Sequence, residues 1–233
     1  MDMVTKPPAA AADKYGPDIT LLRDDAEHLR RHPAPAYWAL MPHYVRQITE
    51  NACSLASATM VVNAARQRIA RAAGVRHLSQ QDMLAAVADP AWHAGVIPED
   101  GRGATVRELG GLLGRTLAAY GFGAAEITTV ELVEGGDGAL GRFRAALRAM
   151  EDGPGRFIVA NFHMAAVMGA GDYGHFSPLG AYDAIRDRAL VLDVYRQDFE
   201  PYWVPVERLF AAMATAQAST GDPRGYLTVR LTD

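Results

Sequence analysis

The sequence predicts an α+β fold in which a helical first half precedes a mostly antiparallel sheet. In the first half, apolar residues recur at helical spacing between residues that favour helix starts and stops. In the second half, short β-rich stretches alternate with turn residues. The turn Arg186–Arg188 joins two of these stretches as a hairpin, which makes neighbouring strands antiparallel.

The helix that carries Cys53 is the longest one that the pattern predicts. Apolar residues at helical spacing run from Cys53 to Ala73, and Gly74 ends the pattern. Asn51 is a suitable N-cap for this helix. Cys53 therefore falls in the first helical turn.

Two further helices of the first half open with capping boxes. The side chains at the ends of Ser79–Asp82 and Thr105–Glu108 have the spacing of this motif. The first helix is expected to end before Pro90 and the second at Gly121.

The second half is predicted to contain five strands and two helices. We expect strands at 127–133, 157–162, 175–182, 189–195 and 225–231, and helices at about 139–150 and 205–216. The glycine-rich stretch 135–138 lacks the lysine of a phosphate-binding loop, so it is expected to be a flexible connection.

The expected domain organisation is an N-terminal arm followed by one catalytic domain. Residues 1–36 are rich in proline, alanine and charge, which is typical of an arm on the surface or a partly disordered segment. Residues 37–233 are expected to form one domain, with a helical lobe over about 37–121 and a sheet lobe over about 122–233.

Composition excludes several functional classes. Lysine and arginine total 23 against 27 acidic residues, a net charge of −4, which argues against a nucleic-acid-binding surface. No apolar run approaches the ~20 residues that span a bilayer. The N-terminus lacks the apolar core of a signal peptide, so we expect a cytoplasmic protein that does not bind membranes.

Cys53 is the only cysteine, which excludes an internal disulfide and a multi-cysteine zinc site. A lone cysteine is most simply a small buried hydrophobe. A helix N-terminus, however, stabilises a thiolate through its partial positive charge. Gln47, six residues upstream, has the amide needed to hold an oxyanion.

A cysteine nucleophile needs an imidazole base and a partner that orients this base. Among seven histidines, His175 opens a strand directly after a glycine-rich loop, as a base facing a cleft would. His163 ends a strand and is more typical of a structural histidine. Asp193 lies in an otherwise apolar run, where a carboxylate must be paired. Its partner is either His175 or an arginine, Arg188 or Arg196, and spacing favours neither.

Two long segments resemble the phytochelatin synthase family. The stretch from Gln47 to Ala64, QITENACSLASATMVVNA, is similar to the nucleophile region of that family. The stretch from Gly174 to Phe210, GHFSPLGAYDAIRDRALVLDVYRQDFEPYWVPVERLF, is similar to its base-and-acid region. The similarity covers roughly Tyr37 to Leu231.

The resemblance implies a papain-like cysteine peptidase fold, with the cysteine on a helical lobe and the histidine and acid on a sheet lobe. It implies that Cys53 attacks the Cys–Gly amide of glutathione and passes the γ-glutamylcysteinyl group to glutathione or water. His175 would be the base, Asp193 its orienting partner and Gln47 the oxyanion donor. No cofactor is implied; zinc or cadmium would act as an activator or as the metal–thiolate form of the substrate. A homodimer is one oligomeric state left open.

Two departures from the family pattern concern length and substrate binding. The chain resembles the short bacterial members, in which removal of glycine dominates over chain elongation. Gln217 occupies a position that is usually Asp in the family, where the Asp and the arginine matching Arg224 hold the γ-glutamyl end. Arg196 also matches a family position, and the resemblance implies that it binds substrate together with Gln217 and Arg224. Met164 replaces a residue that is usually basic.

Two alternatives remain open from the sequence. The first keeps the acyl-enzyme chemistry but uses a different amide or thioester substrate in specialised metabolism, as the change at Gln217 suggests. The second is a non-enzymatic metal-binding protein that uses Cys53 and histidines, against which the absence of paired Cys/His spacing argues.

Overall fold

A seven-stranded antiparallel sheet organises the second half of the chain. The computed structural model describes residues 14–69, 76–133, 138–218 and 220–232. The strands in this part of the chain are β1 (Thr20–Leu21), β2 (Glu126–Glu131), β3 (Arg156–His163), β4 (Gly174–Asp183), β5 (Arg188–Val191), β6 (Tyr202–Pro205) and β7 (Gly225–Arg230). Their spatial order is β1-β6-β5-β4-β3-β7-β2, which places β4 at the centre.

Helices pack against this sheet. Those of the described residues are α1 (Glu27–Arg31), α2 (Pro35–Leu40), α3 (Cys53–Ile69), α4 (Gln80–Val87), α5 (Pro90–Val96), α6 (Val106–Ala119), α7 (Ala139–Glu151), α8 (Met164–Met168) and α9 (Val206–Met213). Helices α2 and α3 contact β4, α6 contacts β2, and α7 contacts both β3 and β4. The mixed helical and antiparallel fold expected from the sequence is confirmed.

Most predicted boundaries agree with the structure. Both capping boxes form, since Ser79 and Thr105 each exchange hydrogen bonds with the residue three positions on. The hairpin β4–β5 is antiparallel, with its turn just before Arg188. The predicted end of the Cys53 helix and most of the 135–138 loop lie outside the described residues.

Three local predictions were wrong. Asn51 does not cap α3; its amide instead donates to the carbonyl oxygens of Pro98 and Glu99 at 3.0 and 3.1 Å. The helix predicted to reach residue 216 ends at Met213. Asp193 lies two residues beyond β5, which ends at Val191, instead of within a strand.

The segment expected to be an N-terminal arm contributes to the sheet over part of its length. Strand β1 pairs with β6, and the Asp25 carboxylate accepts a 2.7 Å hydrogen bond from Arg188. The Trp203 indole donates to the Asp25 carbonyl oxygen at 2.9 Å. Residues 1–13 lie outside the described part, and the division into two lobes remains a prediction.

The apolar core lies between the sheet and the helices. Its largest fully buried side chains come from both halves of the chain and include Leu55, Met60, Phe143, Phe162 and Trp203. In the part of the chain that the structure describes, the helices are too short or too polar to span a lipid bilayer.

Candidate active site

Cys53 is the first residue of α3, and its side chain is almost buried, with 8% of the residue exposed. The helix continues into the core because the residues after Cys53 are small or apolar and fully buried. Helix α3 packs on β4, which carries His175 as its second residue. This packing joins two side chains that are far apart in the sequence.

His175 lies between Cys53 and Asp193. Its Nε2 atom is 2.9 Å from Asp193 Oδ1, and Cys53 is close enough to raise the pKa of its imidazole. Because Nε2 is engaged by Asp193, the other ring nitrogen, Nδ1, is the atom available to the thiol. The structure therefore brings Cys53, His175 and Asp193 together in the order expected from the sequence.

The charge state of His175 is set by two opposing effects. Burial lowers the pKa of His175, but the charge of Asp193 and its hydrogen bond, together with a contribution from Cys53, outweigh burial and raise this pKa to about 10. An imidazolium at neutral pH is the counterion that a cysteine thiolate requires.

Asp193 is fully buried, and its carboxylate is satisfied by three donors. Besides His175, the backbone N–H of Tyr195 donates to Oδ1 at 2.9 Å and the Tyr202 hydroxyl donates to Oδ2 at 3.2 Å. The two arginines considered as alternative partners lie elsewhere: Arg188 pairs with Asp25 and Asp183, and Arg196 stacks on Tyr44. Of the three partners that the sequence left open for Asp193, the structure places His175 against it.

The position of Asp193 follows from the way β5 ends. The β4–β5 register shifts between Leu179 and Ala181, and the N–H of Leu192 still donates to the Pro178 carbonyl oxygen at 2.9 Å. The chain therefore continues beside β4 after the strand ends. This course places Asp193 next to the start of β4, where His175 lies.

Ser177 is a member of this group that the sequence analysis did not single out. Its hydroxyl oxygen is 3.1 Å from His175 Nε2 and accepts a 3.3 Å hydrogen bond from the Val194 N–H. Side chains two residues apart in a strand share a face, so the position of His175 in β4 was a signal that could have identified Ser177.

Gln47 is buried close to the start of α3, but both of its N–H groups are occupied. Its Nε2 donates to the carbonyl oxygens of Thr49 and Glu50 at 2.9 and 2.8 Å, while Oε1 has no partner. The amide thus stabilises its own loop in this structure. The Gln47 amide can donate to an oxyanion beside Cys53 only if it gives up one of these two hydrogen bonds.

A cleft of about 260 Å³ opens beside Cys53 and is lined by two of the three predicted substrate-binding residues, Gln217 and Arg224. Gln217 Nε2 donates to the Ala104 carbonyl oxygen at 3.3 Å. Arg196, the third of these residues, does not line the cleft; it is exposed, and its guanidinium lies 4.3 Å from the centre of the Tyr44 ring.

Arg224 is a buried cation whose guanidinium faces the cleft, with only 3% of the residue exposed. It donates to Thr215 Oγ1 at 2.7 Å and to the Ala216 carbonyl oxygen, while Nε has no partner. Burial lowers the pKa of Arg224, and the charge of Asp172 partly offsets this effect. A buried cation with an unused N–H is suited to binding an anionic group.

Three further residues in the cleft were not predicted to be part of a site. Asn161 is buried, donates to the His175 carbonyl oxygen at 3.3 Å and has an unpartnered Oδ1. His163, expected to be structural, lines the cleft and pairs with Asp172 at 3.0 Å. Asp172 is the only carboxylate among the described lining residues, and 97% of its side chain is exposed.

The described residues contain no group of three or more His, Cys, Asp or Glu side chains placed to hold a metal ion. The part of the chain that the structure describes thus shows no site for a resident metal.

A thiol at a helix N-terminus, next to an imidazole that a buried carboxylate orients, is the arrangement used by enzymes with a cysteine nucleophile. The sequence model of the phytochelatin synthase family matches residues 25–226. The chain belongs to this family, which confirms the resemblance found in the sequence.

Curated relatives come from plants and fission yeast. The chain is 35% identical over 100 residues to glutathione gamma-glutamylcysteinyltransferase 3 of Lotus japonicus. The matched stretch covers 43% of this chain and 21% of the relative. It is 42% identical over 72 residues to glutathione gamma-glutamylcysteinyltransferase 1 of Arabidopsis thaliana, covering 31% of this chain and 15% of the relative.

The fission yeast relative is the glutathione gamma-glutamylcysteinyltransferase of Schizosaccharomyces pombe. It is 36% identical over 70 residues, which cover 30% of this chain and 17% of the relative. The matched stretches therefore span about a fifth or less of the length of these relatives.

Proposed function

We propose that this chain is a papain-like cysteine enzyme that transfers or hydrolyses the γ-glutamylcysteinyl group of glutathione. The observation that carries the proposal is the buried 2.9 Å hydrogen bond between His175 and Asp193 next to Cys53, which itself contributes to the raised pKa of His175. Family membership and the names of the relatives support glutathione as the donor.

In the proposed first step, the Cys53 thiolate attacks the carbonyl carbon of the Cys–Gly amide. An S–C bond forms, the C–N bond breaks, and glycine leaves with a proton from His175. The γ-glutamylcysteinyl thioester remains on Cys53. Asp193 keeps the imidazole in the tautomer and orientation that this proton transfer requires.

In the second step, water or the amine of a second peptide attacks the thioester carbonyl. The S–C bond breaks, Cys53 is regenerated as a thiolate, and His175 accepts the proton of the attacking group. Water yields γ-glutamylcysteine, whereas glutathione yields a longer peptide.

The oxyanion of both tetrahedral intermediates is proposed to be held by the backbone N–H of Cys53 and by Gln47. Since both N–H groups of Gln47 donate within its own loop, this role requires the amide to exchange its bond to Thr49 or Glu50 when substrate binds. The freed N–H group would then donate to the negative charge that develops on the carbonyl oxygen.

Arg224 and Gln217 are proposed to bind the γ-glutamyl end of the donor. Arg224 has an unused N–H in the cleft and would bind the carboxylate of this end. Gln217 would contribute a neutral hydrogen bond. We assign no contact with the donor to Arg196, because it lies outside the cleft.

Zinc or cadmium enters the proposal as part of the substrate. In such a complex the thiolates of glutathione themselves hold the metal ion. No catalytic step is assigned to a metal bound by this chain.

A second candidate function keeps the mechanism and changes the donor. Gln217 provides no negative charge in the cleft, and the one lining carboxylate among the described residues, Asp172, is exposed and paired with His163. An amide or thioester substrate that has a carboxylate but no ammonium group would suit these residues. Such a substrate would belong to specialised metabolism.

Intact-protein mass spectrometry after brief incubation with glutathione tests the proposal, with Cys53→Ala as the matched control. We expect wild type to gain the mass of a γ-glutamylcysteinyl group and to release glycine, and the variant to do neither. If wild type shows no adduct and no glycine while Cys53 still reacts with iodoacetamide, glutathione is excluded as the donor. The second candidate function would then replace the first.

A further inference from the structure

A second cavity lies next to the Cys53 cleft. It has a volume of about 380 Å³. Its charged and aromatic lining residues are Asp89, Trp92, Arg102, Arg107, Glu108 and Arg115. We call it the arginine cavity. Its size falls in the range of small-ligand sites, roughly 300–1,000 Å³.

The arginine cavity and the cleft share the segment Arg102–Ala104, which lines both. At the middle of this segment, Gly103 has a φ of 72°, and a Cβ atom there would meet only Asn51 O, at 3.9 Å. The boundary between the two spaces therefore has no side chain at this point.

One lining residue of the arginine cavity is hydrogen-bonded to helix α3, which carries Cys53. Trp92 is buried, and its indole N–H donates to the hydroxyl oxygen of Ser54 at 3.3 Å. Ser54 follows Cys53 directly in α3. The cavity is thus held in a fixed position relative to the thiol.

The lining presents three arginines to a ligand. Each is paired with a carboxylate, Arg102 with Glu108, Arg115 with Asp89 and Arg107 with Glu131, so an anionic ligand has to replace one of these partners. Arg107 is the least covered, with 77% of its side chain exposed, and its carboxylate partner, Glu131, lies outside the lining. Arg102 donates two hydrogen bonds to the Glu108 carboxylate, which fixes its guanidinium at the shared boundary.

We propose that the arginine cavity binds the acyl acceptor, a small peptide with free carboxylates and a free amine. This inference rests on the proposed function. The carboxylates would lie among the arginines, and the amine would reach over Gly103 to the thioester on Cys53. The amine nitrogen then bonds to the carbonyl carbon, the S–C bond breaks, and His175 takes the proton released by the amine.

Gly111 allows the cavity to be filled without distorting the fold. It lies on the lining in helix α6, and a Cβ atom there would meet only Arg115 Nη1, at 3.8 Å. Gly111→Leu should therefore occupy the cavity. Gly141→Leu is the matched control, because Gly141 is an exposed glycine of helix α7 with open space around it and lies outside both cavities.

Charge is tested separately with Arg115→Gln. Arg115 is 56% exposed and pairs with Asp89 at 2.6 Å. The matched control is Arg23→Gln, since Arg23 is 58% exposed and pairs with Glu200 at 2.7 Å, away from both cavities.

The measurement is product partition with glutathione as both donor and acceptor, followed by liquid chromatography and mass spectrometry. Glycine release reports acylation, and the ratio of elongated peptide to γ-glutamylcysteine reports acceptor binding. We expect Arg115→Gln to lower this ratio roughly tenfold, the size of one lost charge-assisted hydrogen bond, and Gly111→Leu to lower it at least as much by filling the cavity. The burst of glycine from the first turnover, which reports acylation alone, should be unchanged in both. Both controls should keep the wild-type ratio.

Two results would overturn the inference while the proposed function stands. One is an unchanged ratio in both cavity variants; the other is a wild type that releases glycine but yields γ-glutamylcysteine alone. A wild type that releases no glycine from glutathione removes the proposed function, and the acceptor site with it.

Discussion

At the scale of the residue, the protonation of His175 depends on one carboxylate. Asp193 supplies both the charge and the 2.9 Å hydrogen bond that outweigh burial and raise the pKa of His175 to about 10. Because the folded pKa exceeds the unfolded value of about 6.5, protonation of His175 stabilises the fold fully below pH 6.5, and this stabilisation is lost as the pH rises through 10.

We predict that Asp193→Asn lowers the pKa of His175, since the variant keeps the shape of the side chain and removes its charge. The imidazole proton signals, followed by NMR from pH 5 to pH 9, should stay constant in wild type and move in the variant. Turnover should fall by about 10²- to 10⁴-fold, as in other triads that lose the orienting acid. A wild-type His175 that titrates near its ordinary pKa would contradict this account of the site.

Sequence reasoning reached some site residues and missed others for physical reasons. Cys53, His175 and Asp193 became candidates through their surroundings, and the resemblance to the family then gave them their roles. Asn161 and Ser177 were missed because a polar residue inside a strand carries no such signature until its neighbours are known. Arg196 was placed in the substrate site by family resemblance, whereas its stacking on Tyr44 keeps it outside the cleft.

At the scale of the element, two adjacent glycines of helix α6 face different surroundings. A Cβ atom at Gly110 would lie 2.3 Å from Thr129 Oγ1 of β2, whereas one at Gly111 meets only the end of Arg115. We predict that Gly110→Ala lowers the free energy of unfolding by about 1–3 kcal/mol through overpacking. Gly111→Ala should raise it by about 0.5–1 kcal/mol, because alanine is the better helix former.

Urea unfolding of the two variants measures this difference directly, and each serves as the control of the other. Equal effects of the same sign would show that α6 does not approach β2 as closely as the structure indicates.

The contact between α7 and β4 contains a carboxyl group that resists ionisation. Burial raises the pKa of Glu151 to about 7, partly offset by the 2.7 Å hydrogen bond that its Oε1 accepts from the Tyr182 N–H. In the unfolded chain the same group has a pKa near 4.5. The folded state therefore binds more protons between pH 4.5 and pH 7, so this group makes the protein less stable as the pH rises through that window.

We predict that Glu151→Gln removes this loss of stability, because the amide keeps the acceptor for Tyr182 and cannot ionise. At pH 8 the free energy of unfolding should rise by on the order of 1 kcal/mol. Urea unfolding at several pH values provides the measurement. Asp152→Asn, at the exposed neighbouring position, should leave the pH dependence unchanged.

Helices and strands could be predicted from the sequence where their pattern of apolar residues was long enough to recognise. Helices α3, α6 and α7 and strands β3, β4 and β7 have periodic apolar residues, and two of the helices of the first half have complete capping boxes. Strands β1 and β6 have two and four residues, too few for a period to be read. They form because an adjacent edge of the sheet offers hydrogen bonds, which the sequence of either strand alone does not reveal.

At the scale of the whole molecule, partly buried ion pairs join the N-terminal segment to the sheet. Asp25 accepts hydrogen bonds from Arg186 at 2.8 Å and from Arg188 at 2.7 Å. The hydrogen bond from Arg188, assisted by the charge of Arg186, lowers the pKa of Asp25 despite partial burial. This stabilisation is present above the unfolded pKa of about 3.9 and is lost as the pH falls through the lower folded value.

We predict that Asp25→Ala lowers the free energy of unfolding by about 1–3 kcal/mol at neutral pH, since it leaves the partly buried Arg188 with a weaker partner. Asp24→Ala should change it by less than about 0.5 kcal/mol, because Asp24 is exposed and 3.8 Å from Arg23. Thermal or urea unfolding distinguishes the two. Similar effects of both variants would mean that the segment before α1 contributes little to stability.

The order of strands in the sheet also has a consequence for the time course of synthesis. In the described sheet, β2 pairs only with β7, and β7 separates it from β3, although β3 is the next strand made after β2. While the chain leaves the ribosome, β2 therefore has no strand to pair with until β7 emerges. For that interval the nascent chain exposes an unpaired strand, the kind of edge through which chains aggregate.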